Sequence, residues 1–203
     1  MLKFGSYLYR LVDLVAKTLV KTGGFLALPA KTDEGVLQPF VLDLTTLLSH
    51  PPVFLRVASG LLRIVKQKVR LNSFEFVAGV PLAGIPYASF LCVKTCKPML
   101  LIRERGGGKL VEGPLKMGDR VLVIDDSVVT GRQILGTASK IVSEGGVVEQ
   151  AVVIMCQSKS AVERLRSKGI TLHELIDFKS LVGSLKKLDA LTDEEYDALL
   201  SSA

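Results

Sequence analysis

The sequence predicts an α/β fold, a central parallel sheet flanked by helices with a small N-terminal addition. Three observations lead there. Short, continuously apolar runs recur from residue 74 onward, among them "FEFVAGV", "PMLLIRE", "RVLVIDD" and "VVEQAVVIMCQ". Segments with helical spacing separate them. A strand that is apolar at every position, rather than at alternate ones, is buried on both faces, as parallel strands under helices are. The length of 203 residues, with 48% in the apolar set, suits one compact domain and is short for two.

The elements follow in order. Residues 5–21 have the spacing of a helix. "GVLQPFVLDLTTLLS" is strand-like, and "PPVFLRVASGLLRIVKQKVR" is a helix opened by prolines, which suit the first helical position. Together these give a helix and an irregular, partly β flap. "FEFVAGV" begins the sheet, and "IPYASFLCVK" is helical. "PMLLIRE" is a strand, "RGGGK" the conspicuously flexible stretch, and "RVLVIDD" a strand again. In "GRQILGTASKIVSEGG" the residues Ile134, Leu135, Ala138, Ile141 and Val142 line one face, and Gly145 and Gly146 end the helix. "VVEQAVVIMCQ" is the next strand, "KSAVERLRSKG" a helix stopped by Gly169, and "TLHELID" a last strand. "LTDEEYDALLSSA" reads as a short surface helix with Thr192 as N-cap and acidic first-turn residues.

Composition narrows the function. There is no apolar run of 18 residues, so no membrane span is expected. The N-terminal segment lacks the unbroken apolar core and cleavage site of a signal peptide, and a cytoplasmic setting is expected. Cys92, Cys96 and Cys156 are an odd count without a second ligand pair, which fits reduced, buried thiols better than a metal site. The net charge of +6 fits a polyanionic partner, either nucleic acid or a phosphorylated small molecule. The absence of Trp removes the usual platform for stacking single-stranded nucleic acid, so the small molecule is favoured.

The chemistry sits in "RVLVIDDSVVTGRQIL". An apolar strand runs into Asp125 and Asp126, and charge so near a core is costly unless something holds it. In an open parallel sheet, ligands bind beyond the carboxyl ends of the strands. The following turn and helix start, with Ser127, Thr130 and Gly131, offer backbone N–H groups to a phosphate, and Arg132 adds positive charge. Carboxylates for sugar hydroxyls or a Mg²⁺-bound water, beside amides for a phosphate, describe a ribose 5-phosphate site. The competing reading is an acidic strand end that only caps the next helix. There is no Gly-Lys-Ser/Thr of a Walker A loop, and Gly131 stands alone, unlike a dinucleotide fingerprint.

This pattern of an apolar strand, two acidic residues, two apolar residues, a turn and Gly resembles the phosphoribosyl-diphosphate motif of type I phosphoribosyltransferases. "FVAGVPLAGIPYASFLCVKTCKPMLLIRE" and "KLVEGPLKMGDRVLVIDD" resemble the corresponding runs of the orotate phosphoribosyltransferases. The likeness extends from about residue 8 to 190 through "LQPFVLDLTTLLSHP" and "SKSAVERLRSKGITLHELIDF". It implies a single phosphoribosyltransferase domain over residues 1–203, with a hood of roughly 1–50 plus a C-terminal segment on a core of roughly 51–180. It implies conversion of orotate and 5-phosphoribosyl 1-diphosphate to orotidine 5′-phosphate and diphosphate, in UMP synthesis. Asp125 and Asp126 would hold the ribose hydroxyls. Ser127, Val128, Val129, Thr130, Gly131, Arg132 and Gln133 would cradle the 5′-phosphate. Val80, Pro81, Leu82, Ala83 and Gly84 would meet the diphosphate. Arg103, Arg105 and Lys109 would be the leaving-group cations of a loop that often crosses a homodimer. Lys31 and Gln157 would lie on the base side. Mg²⁺ would arrive mainly with the substrate, without a protein metal site.

The chain also departs from that pattern. Val129 stands where the family's loop has Thr, and Arg132 and Gln133 where it has small hydroxyl residues. The loop after Arg103 is shorter, and Glu104 takes a normally basic place. Gln157 replaces the Arg that grips the orotate carboxylate, with Lys159 two residues on, and Gln does not reproduce a bidentate pair. Two alternatives therefore stay open at this point, a transferase for another base and a catalytically weak homologue that binds the sugar diphosphate or a nucleotide as a signal.

Overall fold

The structure is a computed structural model that describes residues 2–31, 35, 37–104 and 108–201. It divides into two compact units, one of residues 1–57 with 176–203 and one of residues 58–175.

The first unit is built on α1 (Leu2–Thr22), a long amphipathic helix that buries Leu11, Val15 and Leu19. After Gly23 come two-residue strands, β1 (Phe25–Leu26), β2 (Ala30–Lys31), β3 (Leu37–Gln38) and β4 (Val41–Leu42), with β1 paired to β4 and β2 to β3, both antiparallel. The predicted strand continues no further, because Leu44–Ser49 is a 3₁₀ helix. Its cause is local. The Asp43 side chain accepts from the Thr45 amide at 2.9 Å, an N-cap that turns the backbone out of the extended form. The helix α2 (Pro51–Ile64) opens on its prolines in this unit, continues past residue 57 into the second, and closes there in a π-helical turn, Val65–Val69, so the α-helical part is shorter than predicted.

A helix that the sequence reading passed over, α6 (Phe178–Lys187), also belongs to this unit. Its signals were present. Asp177 caps Ser180, and Phe178, Leu181, Val182 and Leu185 recur at helical spacing and are buried. Phe40 stacks between Phe25 and Phe178 at centroid distances of 6.2 and 5.6 Å. The Ser184 hydroxyl donates to Asp13 of α1 at 2.7 Å. The last helix, α7 (Asp193–Ser201), has a reciprocal cap, in which Glu195 N–H donates to Thr192 Oγ1 and Thr192 N–H to Glu195 Oε2.

The second unit carries the six-stranded sheet. Its strands are β5 (Phe76–Gly79), β6 (Met99–Ile102), β7 (Val111–Glu112), β8 (Arg120–Val128), β9 (Val147–Cys156) and β10 (Thr171–Asp177), in the spatial order β10-β9-β8-β5-β6-β7. β6, β5, β8 and β9 are mutually parallel neighbours, and β7 pairs antiparallel with β6. The continuously apolar strands are the inner ones, and every residue of β5 is buried. The helices are α3 (Gly84–Thr95), α4 (Arg132–Ser143) and α5 (Lys159–Ser167). In α4 the buried face is Ile134, Thr137, Ala138 and Ile141, while Val142 lies off it, 56% exposed. Cys92 is half-buried and Cys96 exposed at a left-handed residue that ends α3, so only Cys156 is the buried thiol expected of all three.

Order of strands fixes where a ligand crevice opens. From β5 the chain moves through α3 to β6 on one side, and from β8 through α4 to β9 on the other. Right-handed crossovers then place α3 and α4 on opposite faces, and the carboxyl ends of β5 and β8 flank the gap between them.

At the opposite end of the sheet, Arg120 Nη2 lies 2.6 Å from Glu75 Oε1, and Arg120 N–H donates to Glu75 Oε2 at 2.8 Å. These bonds from the guanidinium and the amide hold the Glu75 carboxyl down at about 2 from 4.5. A lowered folded value means the stabilisation is complete above about 4.5 and is lost as pH falls toward about 2. Both side chains are 40% exposed, so the effect is modest. We expect the wild-type melting temperature to fall more steeply than that of Glu75→Gln between those pH values. Parallel curves would contradict the assignment.

Candidate active site

Strand β8 runs past the two carboxylates rather than stopping at them. Its ladder with β9 continues through Asp125↔Val153, Ser127↔Met155 and Val128↔Cys156. On the other side β5 ends at Gly79, opposite Ile124. Asp125 and Asp126 therefore stand on a stretch of strand paired on one side only, just beyond the end of β5. Asp125 is 3% exposed and Asp126 half-buried. Asp125 Oδ1 accepts the Asp126 amide at 2.9 Å, and Asp126 Oδ1 accepts the Ser127 amide at 2.6 Å.

The segment Val80–Gly84 folds over that gap. Val80 N–H donates to Ile124 O at 2.8 Å, continuing the line of β5, and Gly84 N–H returns to Val80 O at 3.0 Å. The Pro81–Leu82 peptide is cis. Glycine is required at both ends of the turn. A Cβ on Gly79 would stand 2.7 Å from the Ile85 backbone, and one on Gly84 would collide with the Ile124 carbonyl. Among the described residues the Leu82 and Ala83 amides donate to no protein acceptor, and the Leu82 side chain is 81% exposed. That is an open pair of donors at the mouth of the gap, beside the carboxylates.

The second loop follows β8. Gly131 has φ +81° and caps α4, whose first-turn amides have no intrahelical acceptor. Arg132 N–H reaches Thr130 Oγ1 at 3.3 Å. Arg132 and Gln133 are exposed at the first two helical positions, and Val129 and Thr130 are half-buried. Val128 O accepts the Gln157 amide at 2.8 Å, which ties the loop to the end of β9, where Gln157 is 7% exposed.

Of the expected residues, the structure brings together Asp125 to Gln133, Val80 to Gly84 and Gln157 around the carboxyl ends of β5, β8 and β9. Arg103 follows β6, with its Nε 2.9 Å from Glu112 Oε1, and Lys109 donates to Gly113 O at 3.2 Å. Arg105 lies outside the described residues. Lys31 belongs to the other unit, exposed on β2.

Two residues escaped the sequence reading. Tyr87 of α3 is 1% exposed, and burial first, then the nearby Asp126 carboxylate, pushes its phenol above the ordinary range, so it stays neutral. An aromatic in a helix reads as plain core, and nothing in the sequence links it to Asp126. Glu174 accepts the Cys156 amide at 3.1 Å beside Gln157, and Cys156 Sγ donates to Ser158 O, which together with burial gives the thiol a packing role. Among the described residues no group of three or more His, Cys, Asp or Glu is placed to hold a metal ion. No helix among them is long and apolar enough to cross a membrane.

A scan against family models finds no match. Solved structures do match. Orotate phosphoribosyltransferase from Aeropyrum pernix superposes with a TM-score of 0.72 at 28% identity, covering 85% of this chain and 99% of that one. UMP synthase from Leishmania donovani reaches 0.81 at 25% identity, covering 93% of this chain and 41% of that longer one. The fold, with its acidic strand and glycine-shaped loops, is that of a type I phosphoribosyltransferase. In sequence, the orotate phosphoribosyltransferase of Sulfolobus acidocaldarius is 34% identical over 186 residues, 90% of this chain and 89% of the relative. The chain belongs to the orotate phosphoribosyltransferase family.

Proposed function

We propose that the protein transfers the phosphoribosyl group of 5-phosphoribosyl 1-diphosphate to orotate, releasing diphosphate, as a step of pyrimidine synthesis. The carrying observation is the placement of Asp125 and Asp126 between two loops with open amides at the point where the strand order reverses. In this reading the carboxylates hold the ribose hydroxyls. The amides and Arg132 take the 5′-phosphate, and the Leu82 and Ala83 amides with Arg103 take the diphosphate. The C1′–O bond breaks with its electron pair leaving on the diphosphate, and the orotate N1 forms the new bond to C1′, its proton passing to the departing diphosphate or to water. Holding the sugar between fixed donors at both ends supplies orientation and stabilises the charge that develops on the leaving group.

Mg²⁺ suits this site as a companion of the substrate. It prefers one or two carboxylates plus phosphate oxygens to a dedicated protein cage, and Asp125 and Asp126 are the carboxylates at hand. When bound it neutralises diphosphate charge. Three free cysteines agree with a reducing, cytoplasmic setting, and a homodimer is the assembly we propose.

The buried, neutral Gln157 at the end of β9 favours keeping a second acceptor base in view. A panel assay of diphosphate release, with Mg²⁺ and orotate, uracil, adenine, guanine or hypoxanthine, separates the readings. We expect release with orotate. Release with another base alone would select a different transferase. Binding of the sugar diphosphate without release from any base would leave a regulatory binder.

A further inference from the structure

The geometry points to Glu112 as a positioning residue that holds Arg103 for the diphosphate, an inference that rests on the reading of Arg103 given above. β6 and β7 pair antiparallel in the register Leu101↔Glu112 and Ile102↔Val111, and Arg103 N–H donates to Leu110 O at 2.9 Å. Side chains alternate along a strand. Leu100, Ile102 and Val111 therefore face the core, at 0%, 7% and 0% exposure. Leu101, Arg103 and Glu112 share the open face. On that face Arg103 and Glu112 are diagonal neighbours, within reach only of long side chains. The ion pair is made through Nε, at 2.9 Å from Glu112 Oε1.

The choice of atom matters. With Nε on the carboxylate, the two terminal nitrogens of the guanidinium remain as a fork for an anion. A free arginine surrenders much rotamer freedom when it grips a ligand, and a side chain already anchored surrenders less. Lys109, the other described cation of this hairpin, is instead engaged by its own terminal nitrogen with Gly113 O. Lys109 keeps two further donors but no planar fork, so Arg103 is the cation of the pair with an oriented bidentate end, and Glu112 supplies the orientation. The sequence shows only a Glu before a Gly, nine residues beyond the arginine across a glycine-rich stretch.

The test is calorimetric titration of the full chain with 5-phosphoribosyl 1-diphosphate and Mg²⁺, and separately with ribose 5-phosphate. The proteins are wild type, Glu112→Ala, Glu112→Gln, Arg103→Ala and the Arg103→Ala/Glu112→Ala double variant. Glu112→Ala should weaken the diphosphate by about fivefold, the scale of an exposed charge pair, and leave ribose 5-phosphate unchanged. Glu112→Gln, which keeps an acceptor, should fall between. The double variant should be no weaker than Arg103→Ala alone. Unchanged or tighter binding in Glu112→Ala, additive losses, or an equal loss for ribose 5-phosphate would overturn the inference. Should Glu112→Ala melt early, Glu112→Gln decides alone by the same criteria. Failure of the folded wild type to bind the sugar diphosphate would instead overturn the functional reading, and this inference with it.

Discussion

Asp125→Asn/Asp126→Asn is expected to reduce kcat/KM for phosphoribosyl transfer by a factor on the order of 10²–10³ or more, and to leave the fold intact. The two halves of that expectation have separate causes. Asn is nearly isosteric with Asp and keeps one side-chain oxygen, so the amides of Asp126 and Ser127 still find acceptors. Asp125 is 3% exposed, and removing its charge also removes a desolvation cost, which favours the folded variant. Function loses more. A carboxylate accepts hydroxyl protons through charge-assisted bonds about twice as strong as neutral ones, and both acceptors weaken together at the reacting sugar. A double variant with wild-type kcat/KM would exclude the pair from the chemistry. A variant that fails to fold, shown by melting and circular dichroism, would mean the carboxylates are structural.

Gly84→Ala is expected to cost about 3 kcal/mol of stability and to weaken binding of the sugar diphosphate as well. The added methyl would collide with the Ile124 carbonyl, a backbone atom in the middle of β8 with no room to swing aside. Relief requires α3 to lift from the sheet, and the Val80–Gly84 turn moves with it. At about 2–4 °C per kcal/mol for a chain of this size, the melting temperature should fall by roughly 10 °C. Gly136→Ala is the matched control. Gly136 lies within α4 with nothing near its missing Cβ, so alanine there should be neutral or stabilising by up to about 1 kcal/mol. Equal melting temperatures for the two variants would contradict the close approach of Gly84 to β8.

The inner strands were legible because burial on both faces leaves a continuous apolar signature, as in Val121–Ile124 and Ala151–Met155. The acidic pair was legible because Asp125 and Asp126 break such a run. What one chain segment cannot reveal is its neighbour's length. β8 outlasts the carboxylates because β9 continues to Cys156, whereas β5 stops at Gly79, and no residue of β8 announces either fact. The 3₁₀ turn at Leu44–Ser49 was hidden by apolar composition that suits a strand equally well, with the Asp43 cap deciding between them. Helix α6 carries its signals in Asp177 and the spacing of Phe178, Leu181, Val182 and Leu185, but it follows β10 without a Gly or Pro break, which blurs its start. The ion pair of Arg103 with Glu112 depends on strand register, which spacing alone does not give.

Solving the protein with 5-phosphoribosyl 1-diphosphate and Mg²⁺ probes the reading most directly. The ribose hydroxyls should lie within hydrogen-bond distance of Asp125 and Asp126, with the 5′-phosphate on the amides between Val129 and Gln133. A sugar diphosphate seated elsewhere, with those carboxylates satisfied only by protein groups, would contradict it.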